Sequence, residues 1–184
     1  MKKLFVLVFA LAMTMTVSAQ ITWNVKLGGG MSTFWGYSSK GLFVPKVSVG
    51  IEKPLSAKWS LMPSIEVAWK GFRHGRYDSF YRDEASRLLY LQIPIVAAYR
   101  VNLSNNWNLA LKAGPYFAYQ ISAEHLEDYN SKKKFDIGLD VGFDFEFHRF
   151  VFGVEGEMGF IPLSDIDTRS IKNLAFYGTV GYKF

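Results

Sequence analysis

The sequence contains no cysteine, and this absence excludes a disulfide framework and any cysteine-ligated metal site. It also has no nucleotide-binding glycine loop, no zinc motif and no nucleophile elbow. Beyond the first 19 residues, no stretch is uniformly apolar for long enough to span a membrane as a helix. The formal charge of +5 is too small to indicate a nucleic-acid partner. We therefore expect no cofactor, no metal ion and no nucleic acid.

Residues 1–19 have the three parts of a secretory signal peptide. Lys2 and Lys3 form the positive start, and an apolar run from Leu4 to Met15 follows. That run is shorter than the ~20 apolar residues of a membrane-spanning helix. Small residues at positions 17–19 fit a signal peptidase. We expect cleavage after Ala19, so that residues 20–184 form the mature domain.

Residues 135–148 alternate between apolar and polar side chains without interruption. The odd positions carry Phe135, Ile137, Leu139, Val141, Phe143, Phe145 and Phe147. The even positions carry Asp136, Gly138, Asp140, Gly142, Asp144, Glu146 and His148. A period of two predicts a β-strand with one apolar and one polar face. Seven large apolar groups in a row need an extended apolar surface, and we interpret that surface as lipid.

The same alternation predicts eight strands in the mature chain. They cover about residues 22–32, 42–53, 58–72, 88–101, 106–120, 135–148, 150–160 and 173–184. Tight turns alternate with longer connections at 33–41, 73–87, 121–133 and 161–172. An even number of strands, with short turns at one end and long loops at the other, is typical of outer-membrane barrels. We predict an all-β, eight-stranded antiparallel up-and-down transmembrane β-barrel with both termini at the periplasmic, short-turn end.

Aromatic residues fall into two groups along these strands. Near the short-turn end lie Trp23, Trp59, Tyr99, Trp107, Phe147, Phe150 and Phe184. Toward the long-loop end lie Trp35, Trp69, Phe72, Phe117, Tyr119 and Phe160. Two aromatic belts are what two membrane–water interfaces select.

The polar strand faces indicate an interior rather than an aqueous exterior. A lipocalin-like soluble barrel would turn the apolar side inward. However, the polar faces hold many glycines, which a crowded eight-stranded lumen requires, and charges of both signs. The predicted lumen charge network comprises Lys26, Lys46, Glu52, Glu66, Lys70, Arg100, Lys112, Asp136, Asp140, Asp144, Glu146, Glu155, Glu157 and Lys183.

Its acids concentrate on the sixth and seventh strands and its bases on the others, so partners should meet across the lumen. Because buried charges require pairing, we expect Glu66 or the Asp140 cluster to approach Arg100 or Lys112. The carboxylates of the sixth strand could alternatively bind calcium or act as a catalytic pair. Residues four apart on a strand are separated by ~13 Å, which is too far for one metal site.

Four prolines, at positions 45, 63, 94 and 115, fall inside the predicted strands. A closed barrel has no free edge at which a missing N–H could be tolerated. We therefore expect bulges or staggered strand ends at these positions.

The stretch Leu89-Tyr90-Leu91-Gln92-Ile93-Pro94-Ile95, continuing to Tyr99-Arg100-Val101, resembles the YLEIPL…KY strand of the PorT-like, porin-family outer-membrane β-barrels of Bacteroidota. The order of signal peptide, eight strands and terminal aromatic residue is similar to that family across the mature chain. The resemblance implies a barrel in the outer membrane of a Gram-negative bacterium. Tyr182 and Phe184 resemble the last-strand signal read by the outer-membrane assembly machinery.

The second long loop is basic and aromatic, and it is the candidate binding segment. It includes Arg73, His74, Arg76, Tyr77, Tyr81 and Arg82. Such residues could bind lipopolysaccharide phosphates or an unknown protein partner. The alternative is that this loop is a solvated cap on the barrel end and binds nothing.

The three histidines admit a catalytic alternative. His74 lies near Asp78 and His125 near Asp128, in two different long loops, while His148 lies at a predicted tight turn. A hydrolase at the outer rim could use such a histidine with a nearby acid. The principal hypothesis is a non-enzymatic barrel with a structural or binding role at its extracellular loops. A narrow porin-like channel and a rim hydrolase are the alternatives.

Overall fold

The computed structural model describes residues 21–35, 41–73, 85–124, 134–162, 164–166 and 169–184, and the expected signal peptide lies outside them. The regular elements in these ranges are all β-strands. They are β1 (Thr22–Trp35), β2 (Leu42–Pro54), β3 (Trp59–Arg73), β4 (Ala85–Ser104), β5 (Trp107–Glu124), β6 (Phe135–Phe147), β7 (Phe150–Gly159), β8 (Ser164–Ile166) and β9 (Arg169–Lys183). Within the same ranges, no helix has the length and apolar character needed to cross a membrane.

Eight of these strands close into one antiparallel barrel. Each strand from β1 to β6 pairs with the next, β7 pairs with β9, and β9 returns to pair with β1. The eight-stranded up-and-down fold is therefore confirmed. Among the described residues, the short strand β8 pairs with the beginning of β9, from Ser164↔Ile171 to Ile166↔Arg169.

The strands extend further toward the long loops than the alternation predicted. β4 begins at Ala85 rather than near residue 88, and β5 continues to Glu124 rather than ending near residue 120. The predicted connection at 161–172 contains β8 and the first residues of β9. The apolar alternation fades at these ends, but backbone pairing continues because it does not depend on apolar side chains.

The outer surface of the barrel is an apolar band. Its exposed side chains include Leu27, Phe43, Ile65, Phe143, Phe152 and Phe176. Their neighbours along each strand point inward and are buried, in the strict alternation seen for β2 and β7. Exposed apolar surface this continuous is the lipid-facing surface of a transmembrane barrel.

The in-strand prolines leave the strand register unchanged. Pro45 pairs with Gly29 in an unbroken ladder. Two successive residue pairs are missing from the ladder beside each of Pro63, Pro94 and Pro115, while the pairs on both sides keep one register. The expected bulges are wrong at all four prolines, since the described register shifts lie at residues 89–90 and 102–104. A staggered end is found at Pro45, because the ladder between β2 and β3 starts only at Lys46↔Ala68. Omitting pairs preserves the inward and outward alternation, which a slip of one residue would invert.

The aromatic belt at the short-turn end consists of rings in contact. Ring centroids are 5.1 Å apart for Trp59 and Tyr99, and 4.7 Å apart for Trp107 and Phe147. The assignment of Phe72 to the other belt is wrong, because its side chain is only 2% exposed and packs on Phe34 inside the barrel. Phe72 occupies an even, inward-facing position of β3, and its height along the strand alone suggested a belt.

Candidate functional site

Three main groups of side chains lie along the barrel axis, and Met62, Val96 and Ala98 form a further small apolar cluster. At the long-loop end lies the apolar layer, which combines two buried clusters: Phe34, Phe72, Leu88, Tyr90, Tyr116 and Ala118 in one, and Leu42, Val44, Ala175 and Tyr177 in the other. Below it lies the central cluster, formed by Lys26, Lys46, Glu66, Lys70, Lys112, Asp136, Asp140, Asp144, Glu155 and Glu157. At the short-turn end lies the rim cluster, formed by Glu52, Arg100, Glu146 and Lys183.

The rim cluster pairs two bases with two acids from four different strands. Lys183 Nζ lies 2.8 Å from Glu52 Oε2 and 2.6 Å from Glu146 Oε1. Arg100 Nε lies 3.0 Å from Glu146 Oε2, and its Nη2 donates to Glu52. Each charge has two opposite partners, so the cluster is electrically balanced and ties β2, β4, β6 and β9 together across the interior.

The lower half of the central cluster is a square of two lysines and two acids. Lys26 Nζ lies 2.8 Å from Asp144 Oδ2 and 3.2 Å from Glu155 Oε1. Lys112 Nζ lies 2.8 Å from Asp144 Oδ1 and 2.7 Å from Glu155 Oε1. All four side chains are buried, so these pairs are shielded from water and from salt.

Lys46 continues the network toward the long-loop end. Its Nζ lies 3.1 Å from Glu157 Oε1 and 3.3 Å from Glu66 Oε2, and it also donates to Glu155. Lys70 Nζ lies 2.8 Å from Glu157 Oε2. Lys46 thus contacts three carboxylates at once while its own side chain is almost completely buried.

Three buried tyrosines join the central cluster to the apolar layer. Lys46 Nζ lies 4.7 Å from the centroid of the Tyr177 ring. Lys70 Nζ lies 4.4 Å from the centroid of Tyr116 and 5.5 Å from that of Tyr90. At these distances an ammonium group is attracted to the ring face, and the attraction is stronger where water is absent. The three tyrosine rings therefore cover the side of the central cluster that faces the long-loop end.

Two aspartates of the central cluster have no base in contact among the described residues. Asp136 instead accepts hydrogen bonds from Asn173 Nδ2 at 2.9 Å and from the Tyr116 hydroxyl at 3.2 Å. Asp140 lines a cavity of about 20 Å³, and its Oδ1 has no hydrogen-bond partner within the described part of the chain. A cavity of that size holds about one water molecule.

The predicted network residues come together, and the acidic stretch around Asp140 meets both expected bases through Asp144 and Glu146, although Asp140 itself contacts neither base. Lys112 meets Asp144 and Arg100 meets Glu146, both on β6. Glu66 pairs with Lys46 rather than with Arg100 or Lys112. Pairing from the basic strands to β6 and β7 accounts for most contacts. Two of the ion pairs, Lys46–Glu66 and Lys112–Asp144, join neighbouring strands.

The candidate loop-binding residues fall largely outside the described residues. This holds for His74, Arg76, Tyr77, Tyr81 and Arg82 and for the side chain of Arg73. His125 also lies outside them.

The remaining predicted positions are described. His148 is exposed in the β6–β7 turn, with φ of 52° and its ring 4.5 Å from that of Phe147. Tyr182 and Phe184 are in ring contact, with Phe184 exposed on the outer surface. Within the described ranges, no group of three or more acidic or histidine side chains is placed to hold a metal ion.

The apolar layer is the part of the interior that the sequence reasoning missed. A signal was present, because Phe34, Val44, Phe72 and Leu88 occupy even, inward positions near the long-loop ends of four strands. These positions interrupt the polar face of each strand at a similar height. Aligning the strands by their turns would have placed the four side chains in one layer.

Comparisons with known proteins identify the fold. The family model for the outer membrane protein beta-barrel domain matches residues 18–165. No curated protein matches the chain in sequence. Among solved structures, the outer membrane protein OprG from Pseudomonas aeruginosa is similar at a TM-score of 0.54 and 11% identity, over 91% of this chain and 96% of that one. The outer membrane enzyme PagL is similar at 0.52 and 11%, over 86% of this chain and 98% of that one. The attachment invasion locus protein Ail of Yersinia pestis is similar at 0.46 and 14%, over 91% and 100%. At these identities the likeness concerns the fold alone.

Proposed function

The chain belongs to the outer membrane protein beta-barrel domain family, and from that premise we propose that it is a non-enzymatic barrel acting through its long loops, above a lumen closed to solutes. It is a small eight-stranded barrel of the Gram-negative outer membrane. In this proposal the short turns face the periplasm and the long loops face the exterior, as in outer-membrane barrels generally.

The observation that carries the proposal is the packing of the lumen. In the middle of the lumen and toward its long-loop end, four large side chains are buried: Lys46, Lys70, Tyr116 and Tyr177. The ion pairs and ring contacts between β2, β3, β5, β7 and β9 occupy the cross-section that a channel would need. Eight-stranded barrels are just wide enough for side chains to fill. This filling favours a role at the surface over transport through the interior.

The segment between β3 and β4 is the proposed binding element. It combines arginines at 73, 76 and 82 with His74, Tyr77 and Tyr81. Guanidinium groups bind phosphate through paired, charge-assisted hydrogen bonds. At the outer surface, the abundant ligand of this chemistry is the phosphorylated core of lipopolysaccharide. Arg87, which is exposed at the base of the same hairpin, adds a further positive charge.

The route to the membrane follows from the ends of the strands. We expect residues 1–19 to direct export, and Tyr182 and Phe184 to be read by the assembly machinery from the last strand. Phe184 is 66% exposed on the outer surface, so its ring is accessible to a partner before lipid covers it. The PorT-like character of β4 remains part of the proposal.

Planar-bilayer recordings test the closed lumen. The purified barrel should give no discrete conductance steps, because ions cannot replace the buried pairs. An open porin incorporated under the same conditions is the control for insertion. Reproducible unitary steps from the purified chain would support the narrow-channel alternative instead.

The binding role is tested with an Arg73→Gln, Arg76→Gln, Arg82→Gln variant. It should retain less lipopolysaccharide after purification than the parent protein, because three phosphate-binding groups are removed. A Lys134→Gln variant, at an exposed strand entry outside this segment, is the matched control. Equal lipopolysaccharide retention in all three proteins would contradict the assignment.

The enzymatic alternative predicts a different result. A His74→Ala, His125→Ala double variant should leave lipid A and peptide profiles unchanged if the barrel is non-enzymatic. A changed lipid A profile would make the chain a rim hydrolase.

A further inference from the structure

The exposed charged side chains of the short turns are all of one sign. Its buried acids, Glu52 and Glu146, are balanced by Arg100 and Lys183 within the rim cluster. In the three short turns, all of which the structure describes, the exposed charged side chains are those of Lys58 and Arg149. The short turns therefore present positive side chains, and the acids of the rim cluster are already paired with Arg100 and Lys183.

The β2–β3 turn holds its basic group beside apolar side chains. Leu55 N and Ser56 N donate to the Trp59 carbonyl at 2.8 and 3.0 Å, and Ser56 Oγ accepts from Trp59 N at 3.1 Å. These bonds fix a tight turn in which Leu55 is 51% and Trp59 is 50% exposed. An exposed leucine and tryptophan beside Lys58 form a surface that is apolar on one side and cationic on the other. Such a surface suits the headgroup level of a membrane.

The β6–β7 turn repeats this arrangement. Arg149 is exposed in a turn that is flanked in the sequence by Phe147 at the end of β6 and Phe150 at the start of β7. The Arg149 carbonyl accepts a hydrogen bond from Lys183 N at 2.8 Å, which attaches the turn to β9. In an eight-stranded ring, this hairpin lies four strands from the β2–β3 hairpin, so the two basic turns face opposite sides of the barrel.

We propose that these two turns bind the phosphate groups of anionic phospholipids in the leaflet at the short-turn end. The aromatic side chains set the turns at the interface, where phosphate groups lie within reach of Lys58 and Arg149. A zwitterionic lipid carries its own ammonium group, which competes for that phosphate, whereas an anionic lipid has no such competitor. The third short turn, with Asn105 and Asn106 at its tip, has no charged side chain and should show no preference.

The test measures which lipids remain bound to the full chain when it is released from nanodiscs of known composition. Nanodiscs of phosphatidylcholine with a minor fraction of phosphatidylglycerol are the probe, and native mass spectrometry counts the lipids retained. The parent protein should enrich phosphatidylglycerol. A Lys58→Gln, Arg149→Gln variant should lose about fivefold in preference for each charge removed at low salt. Because the two side chains lie in separate turns, each single variant should show half of the effect of the double variant on a logarithmic scale.

A gain of function provides the matched control. Asn105→Lys places a base in the uncharged turn and should raise phosphatidylglycerol retention in the double variant. The preference of the parent protein should also fall as salt is raised, because exposed charges are screened. Equal retention by parent and double variant, or no enrichment by the parent, would overturn the proposal.

The assignment of this leaflet to the periplasmic side rests on the proposed function and is tested separately. Because the chain has no cysteine, Asn105→Cys introduces a single thiol at the short-turn end. A membrane-impermeant maleimide should label it only after the outer membrane is opened. Labelling in intact cells would refute the orientation and leave the lipid preference in nanodiscs unaffected.

Discussion

Replacement of Lys46 by methionine should destabilise the barrel more than any single change at its surface. Lys46 is 2% exposed and contacts Glu66, Glu155 and Glu157. Methionine keeps the length and apolar stem of the side chain but removes its charge. Three buried carboxylates would then share fewer bases, and Glu66 would lose its only ion-pair partner among the described residues.

The magnitude follows from the distances. At 3.1 to 3.3 Å and an effective dielectric constant of about 20, each pair contributes about 5 kcal/mol of gross attraction. The cost of removing the charges from water offsets most of that attraction. Deleting one partner of a buried pair leaves the desolvation cost in place, so Lys46→Met should lower the free energy of unfolding by about 3–5 kcal/mol.

Urea unfolding in phospholipid vesicles, followed by tryptophan fluorescence, measures this change. Lys134→Met, at an exposed position, is the control and should stay within about 0.5 kcal/mol of the parent protein. Adding Glu66→Gln to Lys46→Met should cost less than the sum of the two single changes, by about 0.5–3 kcal/mol. If Lys46→Met unfolds within about 1 kcal/mol of the parent, the buried network is not a main source of stability.

Three further variants test the packing around this network by the same unfolding measurement. Gly114→Ala should cost at least about 1–3 kcal/mol, because its Cβ would overlap the backbone of β4. Gly178→Ala, on the lipid face, should be tolerated, because its Cβ would only reach ordinary contact with Gly29 O at 3.9 Å. Equal effects of the two changes would contradict the described backbone approach. Phe72→Ala should cost about 3–5 kcal/mol, since the ring is buried in the apolar layer, and a loss below about 1 kcal/mol would place the ring in lipid instead. Arg100→Gln should cost less than Lys46→Met, because its side chain is 21% exposed and both of its carboxylate partners keep a lysine; a larger loss would reverse the ranking of the two clusters.

The barrel could be predicted from the sequence because one physical constraint governs most of the chain. A strand with lipid outside and a crowded lumen inside must alternate at every residue, and the stretch from Phe135 to Phe147 does so without exception. The inward position of the charged residues also followed, because charges of both signs on one face are stable only when they can meet.

The particular partners could not be predicted, because they depend on the stagger between strands. Lys46 and Glu66 meet because β2 and β3 align Lys46 with Ala68 and Ser48 with Glu66. Alternation fixes which face a side chain occupies but not its height relative to a strand several neighbours away. The wrong placement of Phe72 had the opposite cause, because its height suggested a belt although its even position in the alternation indicated the inner face.

The prolines were misjudged for a different reason. A missing N–H was expected to require a bulge or a staggered strand end, and only Pro45 has the latter. In this barrel, the ladder beside Pro63 loses two residue pairs and then resumes in the same register. Keeping the alternation of a whole strand evidently outweighs the loss of a few hydrogen bonds, since a shift would place charges in lipid.

The position of β9 couples the two seams at which the barrel closes. This strand completes the hydrogen bonding of both β1 and β7, and its Lys183 supplies a base to Glu52 and Glu146 at the same time. A chain that has assembled β1 to β7 but not docked β9 has two open edges and an acid-rich mouth within the bilayer. Because such a half-assembled form is high in energy, we expect β9 to dock and to detach as one unit rather than to fray residue by residue.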